Sequence, residues 1–437
     1  MKLLSFKRQG MTTITSDIIL TTAPVRIDLA GGWSDTPPIC YEQAGSVLNV
    51  AIKVDNQRPV RCLSRAVPGV FQIKLHALRR TDSKSVGGDS ITCTKFKDFL
   101  NVSDTSLSTS LLKAALIVLD IIDNSQIEFY RNADDELDAN IFSKSLEERF
   151  NAGIEICCIS DVPSGSGMGG SSVLAAVIIR SLSDLLKLHV SNENLVYLVT
   201  QVEQVLSSGG GYQDQIGSIY PAFKICRSIK KLPLEINTQE LPVTSSFIQL
   251  FQKRCYLIFT GQQRLAKNIL INALRNFSLT SYPNEGGDGC SNYNTISSLM
   301  KGAEQGAELL SNHYNADSSS DNDCIDALAA ILDNYFSLKV AMAPGTDPVH
   351  IRNILTFLRP YCSGLSLCGA GGGGFAICIL KSTCTKDDLI KSVDEFNTIN
   401  QSSLTIHDVK VDSDGIKSKT LDGSVRLHAP LQDYLFI

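Results

Sequence analysis

The sequence predicts an α+β protein of two domains, and three observations carry this. Strand-like runs crowd the stretch from Ile18 to Leu75. A strand, a glycine loop and a helix follow one another from Gly153 to Leu186. The second half alternates long helical stretches with short apolar strands around another glycine turn. With 437 residues the chain is long enough for two ordinary domains. A β-rich opening of this length argues against a plain doubly wound fold, which would alternate strands with helices from the start.

The elements follow in order. Residues 1–16 are polar and read as loose. Ile18–Leu20, Val25–Leu29, Val47–Val54, Val60–Leu63 and Val70–Leu75 read as strands from their short apolar patterns. Ala30–Pro38 is a turn-rich loop holding the only tryptophan, Trp33. Residues 82–90 and 131–140 read as polar connections, with a helix at Leu111–Ile122 between them. Gly153–Ser160 reads as a strand, and Val173–Ile179 starts a helix whose spacing continues through Leu182, Leu185 and Leu186. Asn194–Leu206 places Leu195, Leu198, Val199, Val202 and Leu206 on one helical face. It stops at Ser207–Gly211, and Ile219–Ile225 reads as a strand. The polar, proline-broken stretch Lys230–Ser246 sets the expected boundary between domains at 17–240 and 247–437. Beyond it come a strand at Cys255–Phe259, a helix at Arg264–Phe277 and an expected mobile loop at Thr280–Asn294. Helices at Ile296–Tyr314 and Cys324–Met342 flank a Ser/Asp/Asn tract at 315–323. Val349–Leu358 is a helix, and Gly364–Cys368 and Phe375–Leu380 are strands around Gly369–Gly374. Asp387–Phe396 and Leu404–Val411 complete a helix and a strand.

Composition narrows the function. Net charge is −5, with no basic block, which argues against a nucleic-acid surface. No apolar run approaches the ~18–20 residues that span a bilayer. Met1–Arg8 has no long apolar core, so a secretory signal is not expected. Thirteen cysteines without a Cys-x-x-Cys pair suggest free thiols, and a cytoplasmic setting is expected. The six histidines are dispersed, which gives a zinc site little support.

The chemistry concentrates in Asp161-Val162 and Pro163-Ser164-Gly165-Ser166-Gly167-Met168-Gly169-Gly170-Ser171-Ser172. Glycines let backbone N–H groups turn toward a ligand. The helix that follows adds unsatisfied donors and a partial positive charge. Together they make an anion site, and phosphate is its usual occupant. On this reading a β-carbon at Gly169 would occupy the space of a phosphate. No lysine lies in the stretch, so it is not the common Gly-Lys-Ser/Thr nucleotide loop. A dinucleotide fingerprint fits only loosely, because Asp184 is badly placed for the acid it needs.

Three glycine-centred segments, at 30–38, 163–172 and 369–374, resemble in order and spacing the three signatures of the GHMP kinases, across nearly the whole chain. Gly31-Gly-Trp-Ser-Asp35, Tyr212-Gln-Asp-Gln-Ile-Gly217 and Tyr256–Ala266 look like the branch that holds L-fucokinases and bacterial heptose-7-phosphate kinases. The resemblance implies an α+β GHMP kinase fold, with a left-handed βαβ crossover in the first domain and an α+β sandwich in the second. It also implies transfer of the ATP γ-phosphoryl to the anomeric hydroxyl of a sugar. L-fucose is the expected substrate; heptose 7-phosphate and a catalytically idle sugar- and ATP-binding regulator are the alternatives.

The resemblance assigns residues as well. Asp214 would be the base, or the charge that orients the sugar hydroxyl. Arg26 would face it and help neutralise the transferring phosphoryl. Asp35 would bond the sugar hydroxyls, with Gly32, Trp33 and Gly211 beside it and Gly371 and Gly372 from the third segment. Residues 163–172 would hold ATP. Ser171 and Glu203 would hold Mg²⁺, Glu203 lying eleven residues before Asp214.

Overall fold

The computed structural model describes residues 14, 17–80, 86–163, 165–207, 209–262, 266–280, 291–316 and 320–421. Strands β1 (Ile18–Ala23) and β2 (Val25–Ala30) open it, followed by β3 (Gly45–Val54), β4 (Val60–Pro68), β5 (Ile73–Arg80) and β6 (Val86–Cys93). After three helices come β7 (Ala152–Ser160) and then the helices Gly170–Leu185, Asn192–Val205 and Gln213–Ile219. β8 (Phe223–Ser228) and β9 (Ile236–Glu240) end the first half. The second half contributes β10 (Cys255–Phe259), β11 (Cys362–Leu367), β12 (Phe375–Leu380), β13 (Thr405–Val411) and β14 (Lys417–Leu421), with the long helices Ser291–Asn315 and Asp321–Met342 between β10 and β11.

Two sheets result. One runs β14-β1-β4-β7-β5-β6. Its only parallel pair among the described residues is β5 with β7, the signature of a crossover connection. The other runs β11-β12-β10-β13-β3-β8-β9, with β2 on β3. Strand pairing crosses the boundary expected at 240–247. β13 docks on β3 through Val409–Val54, Lys410–Lys53 and Val411–Ile52, and β14 docks on β1. Arg58 fixes this return by a two-nitrogen grip on the fully buried carboxylate of Asp412. One apolar core then runs from Ile19 through the glycine-loop helix to Val409. Among the described residues no helix is long and apolar enough to cross a membrane.

Local departures from the sequence reading have physical causes. The stretch 131–140, read as a polar connection, instead starts the helix Asp135–Phe150. Asp134 caps it, accepting from the N–H groups of Glu136 and Leu137, and the acids of its first turn suit the positive end of a helix. Residues 86–90, also read as a connection, belong to β6. This edge strand carries two glycines that weaken its own propensity but pairs along its whole length with β5. The strand expected at Ile219–Ile225 is the end of a short helix followed by β8. Residues 281–290, at the heart of the expected mobile loop, lie outside the described residues, as do most of 1–16 and part of the 315–323 tract.

Candidate active site

β2 supplies the first side chains. Its residues alternate between two faces, so Arg26 and Asp28 share one while Val25, Ile27 and Leu29 enter the apolar core on the other. Arg26 is almost fully buried. Its Nη1 donates to the carbonyl oxygen of Gly167 at 2.7 Å. Its Nε donates to Oδ1 of Asp214 at 3.0 Å, and Nη2 donates to the same oxygen. One guanidinium thus ties the glycine loop to the first turn of the helix Gln213–Ile219. Burial works against the charge on Arg26, but Asp214 and then Asp28 outweigh it and hold the guanidinium protonated.

The glycine loop is shaped by what its residues lack. Gly169 has φ +72°, and a β-carbon there would stand 2.9 Å from Cβ and Cγ of Asp214. The sequence reading put a phosphate in that space; the structure puts the Asp214 side chain there. At Gly170 a β-carbon would meet nothing within 4 Å. The helix that begins at Gly170 has no side-chain cap and no acid in its first turn. Its first N–H groups therefore keep their capacity for an outside acceptor. Met168 packs in the core and Ser166 is buried, whereas Gly165 is exposed. Ser164 lies outside the described residues.

Glu203, on the helix Asn192–Val205, is buried and accepts from the hydroxyl of Ser172. The sequence reading paired it with Ser171, which is exposed at the helix surface. Successive helical residues point about 100° apart, so only one of the two serines can face Glu203. Burial pushes the Glu203 carboxyl up to about 8, with Asp214 and Asp35 adding to the rise and Ser172 opposing it. Among the described residues no three His, Cys, Asp or Glu side chains gather in a metal-holding cluster. A hydroxyl and a carboxylate still fit Mg²⁺, which keeps waters and takes phosphate oxygens for its other positions.

Asp35 is fully buried and accepts from the N–H of Gln213 at 3.0 Å. Burial raises it to about 7. Gly211 lies against its carboxylate, closely enough that a β-carbon would collide with it. Gly32 lies beneath the Tyr335 hydroxyl, with Oε1 of Gln213 nearby. Asn49 donates to the carbonyl of Gln213 at 3.5 Å. Trp33 belongs to the apolar core. Gly371 and Gly372 pack on Thr346, whose carbonyl accepts from the Gly372 N–H at 2.7 Å.

The structure therefore brings together Arg26, Asp214, Asp35, Gly32, Gly211 and Glu203 with the glycine loop. Sequence reasoning passed over Asp28, Lys339, Tyr335 and the choice of Ser172. Period-two alternation with Arg26 was a usable signal for Asp28. Lys339 and Tyr335 sit four apart in an otherwise apolar helical stretch, which places them on one face.

Comparison with known proteins follows the geometry. Residues 139–221 match the family model described as GHMP kinases N terminal domain. The chain is 29% identical over 372 residues to a bifunctional fucokinase/GDP-fucose pyrophosphorylase from Arabidopsis thaliana; the match takes in 85% of this chain and 31% of that protein. It is 23% identical over 256 residues to a D-glycero-alpha-D-manno-heptose 7-phosphate kinase from Campylobacter jejuni, covering 57% and 62% of the two chains. A crystal structure described as a D-glycero-D-manno-heptose 1-phosphate kinase from Bacteroides thetaiotaomicron superimposes with a TM-score of 0.60 at 15% identity, over 93% of this chain and all of that one. The chain spans about a third of the plant relative's length. Its fold is the α+β fold of the GHMP kinases.

Proposed function

We propose that the chain is an ATP-dependent sugar 1-kinase that phosphorylates L-fucose. The single observation that carries this is the Arg26 clamp, which pins Asp214 to the backbone of the glycine loop. An acid that lines up an alcohol is thereby fixed against the element suited to a nucleotide phosphate. The fucokinase half of the plant relative's name supports the choice of sugar.

In this reading the uncapped N–H groups of the helix at Gly170 hold phosphate oxygens. Ser172 and Glu203 hold Mg²⁺, with Ser172 taking the role first given to Ser171. The ion, when bound, neutralises charge that develops on the phosphoryl group. Asp214 meets the anomeric hydroxyl of the sugar and receives its proton late. Its side chain is 28% exposed, so it can reach a substrate that Arg26, at 2%, cannot reach as freely. Positioning outweighs proton abstraction here, because a phosphoryl-transfer transition state of loose character asks little of a base.

The sugar pocket favours a neutral substrate. Oδ1 of Asp35, Oδ1 of Asn49 and Oε1 of Gln213 are buried acceptors without a hydrogen-bond partner in the structure. Each orphan costs roughly 1–3 kcal/mol until a donor arrives. Sugar hydroxyls bring donors, whereas a second phosphate brings only acceptors. ATP consumption with a sugar panel tests the function directly. Turnover with free L-fucose above that with heptose 7-phosphate is the expected result. The reverse order would transfer the assignment to the phosphorylated heptose, and ATP binding without turnover on any sugar would point to an idle regulator.

A further inference from the structure

We propose that Asp28 is a positioning residue for the transfer, sharing the Arg26 guanidinium with Asp214 so that Arg26 orients the acid without taking its whole charge. This rests on the reading of Asp214 as the acid that meets the sugar hydroxyl.

The geometry is a contest for one nitrogen. Oδ1 of Asp28 lies 2.9 Å from Nε of Arg26, and Oδ1 of Asp214 lies 3.0 Å from the same atom. The two carboxylates differ in freedom: the Asp28 side chain is 1% exposed and that of Asp214 28%. Asp28 is therefore a fixed counter-charge that accepts no hydrogen bond from Arg26, while the guanidinium's hydrogen bonds go to the Gly167 carbonyl and to Asp214, the carboxylate that can move toward a substrate. A lone cation pulls hard on the single acid that faces it. A second anion on the same cation relieves that pull.

Other groups complete the balance. The Lys339 ammonium, fully buried on the helix Asp321–Met342, donates to the carbonyl of Leu367 at 2.7 Å. Burial draws it down to about 8, while the charge of Asp28 supports it. Arg26 and Lys339 thus face Asp28 and Asp214, two cations against two anions. Burial raises the proton affinity of Asp28, and Arg26 opposes that first, with Lys339 behind it. The charged or titratable groups around this set are Asp35 from the loop after β2, Glu203 from the helix Asn192–Val205, Tyr335 beside Lys339, and Cys368 from the glycine turn.

The test is Asp28→Asn, assayed with ATP, Mg²⁺ and L-fucose across about pH 5 to 9. Turnover should fall roughly tenfold or more, as expected for a misplaced group, with both KM values held within about threefold. The acid limb of the kcat/KM profile should move to lower pH, because Arg26 is then left with one anion fewer. A merely structural role would leave that limb in place. The double variant Asp28→Asn/Lys339→Met removes one charge of each sign. Its limb should return toward the parent position while kcat stays low. A folded Asp28→Asn protein with parental kcat and limb would overturn the proposal. If Asp28→Asn alone fails to fold, the double variant decides, and a parental kcat there overturns it too. A parent protein that phosphorylates no sugar would overturn the functional reading and this proposal together, whereas the variants bear on Asp28 alone.

Discussion

Gly169→Ala separates two accounts of the glycine loop. If the loop only grips phosphate, a methyl group at 169 should weaken ATP. The structure assigns that space to Asp214. The added carbon would stand 2.9 Å from Cβ and Cγ of Asp214. Carbon atoms prefer about 3.5–4.0 Å, so Asp214 must retreat by roughly 0.6–1 Å. That retreat also strains its bonds to Arg26. A displacement near 1 Å at a reacting group costs on the order of 10²-fold in rate, which is about 2.7 kcal/mol at the barrier. The backbone adds its own cost, since φ +72° is a left-handed conformation, unfavourable for alanine by roughly 1–2 kcal/mol. Steady-state kinetics at saturating ATP, nucleotide affinity by calorimetry and a thermal melt measure the three terms separately. The expected outcome is a lower kcat, an ATP affinity within about threefold of the parent and a melting point several degrees lower. Gly170→Val is the counterpart. Nothing fills the space beside Gly170, so a side chain there meets an incoming phosphate and should weaken ATP first. If Gly169→Ala loses ATP affinity at unchanged kcat, the reasoning from Asp214 is wrong.

Other substitutions test the remaining parts. Asp214→Asn should cut turnover by about 10²-fold or more and leave ATP binding nearly intact; parental turnover in the folded variant would remove Asp214 from the mechanism. Ser172→Ala should raise the Mg²⁺ concentration needed for half-maximal activity well above the effect of Ser171→Ala, and a metal titration of both variants ranks them. Stability should vary with pH through Asp35. Its carboxyl is raised to about 7 from 3.8, so the folded state holds a proton that the unfolded state has released. That contribution is fully present below about pH 4 and is lost as pH rises through about 7. Asp35→Asn should flatten the fall in melting temperature over this window; an unchanged slope would place the cause elsewhere.

The parts of this architecture that were legible in the sequence are those governed by local chemistry. Glycine lacks a β-carbon wherever it stands, so the segments at 30–38, 163–172 and 369–374 marked close approaches before any partner was known. Helical spacing from Val173 onward and in Val349–Leu358 likewise belongs to the chain itself. What stayed hidden depends on a distant partner. Lys417–Leu421 carries two lysines and one aliphatic residue, no pattern that marks a strand by itself, yet it pairs with β1 as β14. Ser171 and Ser172 are equivalent in composition, and only the phase of the helix against Glu203 separates them. Lys339 is a charge buried in an apolar helix; nothing in its own segment says that Leu367 will accept from it.

The two glycine segments that flank the site are a single interlocked object. The carbonyl of Ser166 accepts from the N–H of Phe375 at 2.9 Å, and Gly369 packs against the backbone of Gly167. A β-carbon on Gly167 would strike the carbonyl of Cys368, and one on Gly374 would strike that of Ser166. Each half of the chain has thus given up side chains where the other half approaches. Arg26 adds a bond from β2 to the carbonyl of Gly167, and Lys339 fixes Leu367 just before the third glycine segment. The glycine loop therefore cannot shift without carrying the C-terminal turn with it. A network closed in this way lets residues 369–374 set the height of the loop, at which Gly169 just clears Asp214.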